Sequence, residues 1–171
     1  MHSNSPNVSG VITEIGWKLA NRQMELSNVT ILMGTTSDSS FSHGWIPHSQ
    51  MQEVYSGEVD FHYDYNNFDW SMLKLDKPFV WNGENNIVIC VINNSGYGVN
   101  RSGWSPFFRG SYTSILQSIS IANDNYAFNT TTMPSNNGSG NGYKSAIKLI
   151  FGDSTICDKP KHITYNNITT N

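Results

Sequence analysis

Short apolar runs alternate with polar positions along most of this chain. In VITEIGWKLA, residues Val11, Thr13, Ile15, Trp17 and Leu19 fall on one face, with Glu14 and Lys18 on the other. A period of two marks a strand with one buried face. NVTILMG, MQEVYSGEVDF, DWSMLKLDKPFVW, SILQSISIA and SAIKLIFG read in the same way. NIVICVIN is apolar on both faces, which predicts a central strand. Turn-forming clusters separate these runs: TTSDSS, DYNN, NGENN, NNSGYGVN and PSNNGSGNG. No window sustains a helical period over the roughly ten residues that a helix needs.

Eight or more short strands with long polar connections predict an all-β fold. The expected architecture is a two-sheet antiparallel β-sandwich, with a jelly roll as its topology. The connections are long for an immunoglobulin-like domain, and the Cys…Trp…Cys spacing of that fold is missing. In DKPFVWNGENN, Pro78 lacks a backbone donor and belongs at a strand end or edge. Asn82 and Gly83 supply a turn that tolerates positive φ, and Phe79 and Trp81 alternate with Val80 to help close the core. That segment reads as structural.

Composition sharpens the class. The chain has 171 residues, of which 13% are charged, about half the usual share. Its polarity comes from Asn, Ser, Thr and Gly, which favour turns and loops. A chain of this length fits one domain. A net charge of -3 with no Lys/Arg cluster gives no reason to expect nucleic acid. The longest apolar stretch, around Ile87 to Ile92, is far short of the roughly 20 residues of a membrane span. MHSNSPNVSG lacks the charged and apolar regions of a signal peptide, so a leader would lie outside this stretch.

The expected organisation is a flexible segment over 1–9, a sandwich over 10–152, and a linker with the opening of a following domain over 153–171. Cys90 and Cys157 make no disulfide framework. Cys90 reads as a small buried hydrophobe. Cys157 lies past the last strong strand, and the two pair only if the tail folds back over that strand.

The ordered segments also resemble a β-sandwich module of secreted multidomain proteins of the Bacteroidetes, among them proteases and surface adhesins. The resemblance runs from about residue 10 to 152. It rests on VTILMGTT (Val29 to Thr36), FSHGWIPHSQM (Phe41 to Met51), VYSGEV (Val54 to Val59), LKLDKPFVWNGENNIVICV (Leu73 to Val91) and SAIKLIFG (Ser145 to Gly152). CDKPKHITYNNIT resembles the entry to a fibronectin type III repeat. Together these resemblances imply one module in a string of β domains, serving adhesion, substrate targeting or spacing. Jelly-roll adhesin domains of related architecture bind structural calcium, but no ligand positions carry over residue by residue.

Catalysis finds little support in the sequence. No HExxH, GxSxG, P-loop or dinucleotide fingerprint is present. His43 and His48 flank Trp45 and Pro47 and read as loop polarity, without a further ligand at metal spacing. Asp60, Asp64 and Asp69 cluster around HYDYNNFDW, and Asp124 lies in IANDNYAF. Such oxygen-rich stretches are the candidates for a structural Ca2+, with solvated turn acids as the alternative. The stronger lead is aromatic. GYGVNRSGWSPFFRGSY places Tyr97, Trp104 and Tyr112 among Asn100, Arg101 and Arg109. Rings that stack on sugar faces beside amide and guanidinium donors are the chemistry of carbohydrate recognition. The competing reading has Trp104, Phe107 and Phe108 plugging the sandwich.

The expected function is therefore that of a non-catalytic accessory module of a secreted or cell-surface protein. It binds a glycan or a host or matrix protein, beside neighbouring domains of its own chain. The alternative is a structural spacer without a ligand.

Overall fold

The computed structural model describes residues 9–21, 23–64, 66, 69–96, 108–123, 125–135 and 137–152. Ten strands form: β1 (Gly10–Trp17), β2 (Met24–Thr36), β3 (Met51–Phe61), β4 (Ser71–Trp81), β5 (Asn86–Asn93), β6 (Gly110–Tyr112), β7 (Ser118–Ser120), β8 (Ser139–Asn141), β9 (Tyr143–Ser145) and β10 (Ile147–Gly152). One 3-10 turn, His48–Gln50, is the sole helical element among the described residues. Two antiparallel sheets, ordered β10-β1-β4 and β3-β2-β5, hold the molecule together. Their facing side chains make one core. Ile12, Ile15 and Trp17 of β1 meet Val29, Ile31 and Met33 of β2, with Val54, Phe61, Leu75 and Phe79 around them. This is the all-β two-sheet arrangement that the alternating runs predict. A jelly roll is an eight-stranded double sheet; among the described residues each principal sheet has three strands.

The alternation in β1 breaks once. Its register slips between Ile12 and Glu14 against both neighbours; on the β10 side Thr13 enters as one extra residue, and on the β4 side it faces a longer irregular stretch. Such a bulge reverses which parity faces inward. Ile12 is therefore buried on one side of the bulge, and Ile15, Trp17 and Leu19 on the other. Val11 and Thr13 do not share the core face with them, contrary to strict alternation. Opposite the bulge, Leu75 to Pro78 of β4 have no partner on β1. Pro78, which has no N–H to offer, thus sits on an edge strand where no ladder bond is required.

The β4–β5 connection carries the chain from one sheet to the other. Phe79 is buried, Val80 is 72% exposed and Trp81 packs half-buried against the core. Asn82 Oδ1 accepts hydrogen bonds from the backbone N–H groups of Glu84 (3.1 Å) and Asn85 (3.2 Å). Gly83 takes φ 80°, as the turn demands. Trp81 Nε1 donates to the Asn85 carbonyl at 2.7 Å, so the indole locks the arch it precedes.

Three features differ from the sequence expectation. β5, read as central from its two apolar faces, lies at the end of the β3-β2-β5 order. One face, with Ile87 and Ile89, packs on the sandwich core, while Val88 and Ile92 are buried beneath a second layer. SILQSISIA forms only the three-residue strand β7, leaving Ile115 and Leu116 exposed. The short strands β6, β8 and β9 arise from GSY, SGN and YKS, which carry no alternating signal.

Candidate functional site

The second layer makes the site. β2 buries both of its faces: Ile31 and Met33 point into the sandwich, and Thr30 and Leu32 lie on the reverse side yet are also sealed. The chain after β6 covers that reverse side. Phe41 N–H donates to the Leu116 carbonyl (2.9 Å), and Gln117 Nε2 donates to the Ser39 carbonyl (2.9 Å). At the far end, Asn94 acts as a strand surrogate. Its Nδ2 donates to the Phe128 carbonyl (2.9 Å), and its Oδ1 accepts from the Phe128 N–H (2.8 Å).

Between these anchors lies a cleft of about 1200 Å³. Its floor is the outer face of β5, with Val88, Cys90 and Ile92; aromatic groups from both covering segments, Phe41, Trp45, Tyr126 and Phe128, stand in the walls. Asn93, Asn94, Asn123, Asn125 and Asn129 bring amides to the same space. Tyr126 is largely exposed and meets Phe128 edge-on, with centroids 5.9 Å apart. No described lining residue is Asp, Glu, Lys or Arg.

His48 and Cys90 meet in this floor. The 3-10 turn tucks His48 inward to 7% exposure and brings its Nε2 within 3.8 Å of Cys90 Sγ. Nδ1 is sealed from solvent and makes no sound hydrogen bond. Burial lowers the His48 pKa, opposed in part by the Thr130 backbone, and burial raises that of the free Cys90 thiol. Both shifts favour the uncharged pair, the reverse of a thiolate–imidazolium dyad. The reading of His48 as loop polarity is thus corrected: it is a buried group with a sulfur partner forty-two positions away. His43 does remain at the surface, 3.8 Å from Asp38.

The residues singled out from the sequence fall elsewhere. Tyr97, Asn100, Arg101 and Trp104 lie outside the described residues, as do Asp124 and Cys157. Gly96, which precedes Tyr97 in the chain, lines the cleft. Arg109 and Tyr112 do not. Arg109 uses its backbone to join the residue after β1 to the residue before β10, donating to Lys18 and accepting from Ala146 (both 2.7 Å). Tyr112, 80% exposed on β6, stacks edge-on against Tyr143 with centroids 5.0 Å apart. Phe108 packs against Phe61 (5.2 Å), as the plugging alternative predicts for that ring.

Of the candidate calcium acids that are described, Asp60 lies in β3, and Asp64 and Asp69 lie between β3 and β4. Asp60 Oδ2 lies 3.3 Å from His62 Nε2. Asp64 accepts from the Asn66 N–H and Asp69 from the Trp70 N–H, each at 2.7 Å. Among the described residues no three His, Cys, Asp or Glu groups gather as a metal cage would require, and no helix is long and apolar enough to cross a membrane.

No family model, curated protein or solved structure matches this chain.

Proposed function

We propose that this domain is a non-catalytic binding module of a secreted or cell-surface protein, and that its cleft holds a carbohydrate. One observation carries the reading: a single cleft joins aromatic faces to a set of Asn amides. Planar rings remove water from the apolar faces of a sugar, and amides both donate to and accept from its hydroxyls. A volume near 1200 Å³ exceeds the roughly 300–1,000 Å³ typical of small-molecule sites, which suits more than one sugar ring. Non-catalytic binding is favoured because the two titratable groups of the floor are pushed toward their neutral forms.

A glycan array followed by calorimetry tests this. Tyr126→Ala should weaken binding at least about tenfold, a loss of roughly 1.4 kcal/mol, with little change in Tm because the ring is mostly in water. An array with no hits would leave the spacer reading as the better one.

A further inference from the structure

The cleft differs from the rest of the molecule in one respect. The chain carries 23 charged side chains, ten basic and thirteen acidic. None of those described reaches the cleft lining. Its polar groups are amides, hydroxyls and the His48–Cys90 pair.

We infer that the cleft selects an uncharged oligosaccharide and rejects uronate, sialylated or sulfated chains. This rests on the carbohydrate reading above and narrows it. A carboxylate or sulfate drawn in beside Val88, Ile92 and Phe128 loses hydration and meets no cation among the described lining residues in return. Neutral hydroxyls face no such penalty, because Asn123 and Asn125 offer both donors and acceptors. Asn94 adds a constraint. Its amide is already committed at both ends to the Phe128 backbone. The rim amides of Asn123 and Asn125 are therefore the ones to read the ligand, the Asn123 Oδ1 sharing its acceptor capacity with the Asn125 N–H. The floor reinforces neutrality, since burial disfavours both imidazolium at His48 and thiolate at Cys90.

The experiment compares neutral oligosaccharides (gluco-, manno- and xylo-series) with oligogalacturonates and sulfated chains, by calorimetry on the whole chain. A neutral series should bind at least about tenfold more tightly than any anionic one. Its affinity should change by less than about twofold between low salt and roughly 0.5 M salt, because no screened charge pair contributes. Ala122→Lys, which puts a cation on the exposed rim without touching the reading amides, should raise the affinity of the anionic chains and leave the neutral series within about threefold. Preference for an anionic chain, with binding lost in salt, overturns the inference while the carbohydrate reading stands. Binding to no member of either group overturns both.

Discussion

Asn94 and Phe128 pair as two strands do, with a side-chain amide taking the place of one backbone. The bond pair is half-buried and spans thirty-four positions, and it fixes the far end of the covering arm over β5. Asn94→Ala removes both bonds at once. We expect a loss of about 1–3 kcal/mol in chemical denaturation. Amide exchange should speed up around Phe128 while the β1–β4 ladder keeps its protection. Uniform loss of protection across both sheets would show that the arm is not a separately anchored layer.

Gly138 supports the opposite wall. Its φ is 61°, and a Cβ placed there would lie 2.7 Å from Trp45 Cζ2 and 2.8 Å from the Ser120 carbonyl oxygen. Gly138→Ala therefore adds left-handed strain of about 1 kcal/mol to a backbone clash. Tm should fall, and Trp45 fluorescence should report a displaced ring. An unchanged Tm would mean that the loop holding Gly138 shifts without cost.

The pH profile should have two limbs that belong to the cleft floor. The folded His48 pKa is below its ordinary 6.5, so the unfolded chain binds more protons as the pH drops under that value. Stability then falls from pH 6.5 down through the lowered folded pKa. The folded Cys90 pKa is above its ordinary 9.0, so the unfolded chain loses its proton first and stability falls as pH rises past 9.0. Denaturant midpoints across pH should flatten on the acid side in His48→Gln and on the alkaline side in Cys90→Ala. A limb that survives its variant arises from another group.

Cys90 also reports occupancy. Its raised pKa leaves little thiolate at neutral pH, so an uncharged thiol reagent should label it well below the rate of an exposed cysteine. A bound ligand should slow the labelling further, because Cys90 lines the cleft. Equal rates with and without saturating ligand would place the ligand elsewhere, with exposed Tyr112, backed by Tyr143, as the next candidate surface.

The large strands were legible because apolar periodicity is a local property. β3 and β5 begin and end where MQEVYSGEVDF and NIVICVIN do. The bulge at Thr13 was not legible, since nothing in VITEIGWKLA marks where an extra residue enters. The cleft was harder still. It depends on His48 meeting Cys90 and on Asn94 meeting Phe128, contacts set by chain paths rather than by neighbours in sequence. One signal was present: the second apolar face of NIVICVIN. On periodicity alone it predicts a central strand, but it marks an end strand roofed by another segment. The aromatics at 97–104 point to the chain just past Gly96, whereas the rings described at the cleft come from FSHGWIPH and from Tyr126 and Phe128.

The pairing of β1 with β10 fixes how the domain would respond to tension. Val11 lies opposite Gly152, so the chain enters and leaves at the same end of one antiparallel ladder. A pull applied through these two points opens that ladder like a zipper, a bond pair at a time, instead of shearing all its bonds together. In a string of domains under load, this one should yield at low force and lengthen early. Its second sheet, ordered β3-β2-β5, is not in the direct line of pull. Single-molecule stretching from residues 10 and 152 should show a low first rupture. A high, single-step rupture would mean that the load is carried in shear.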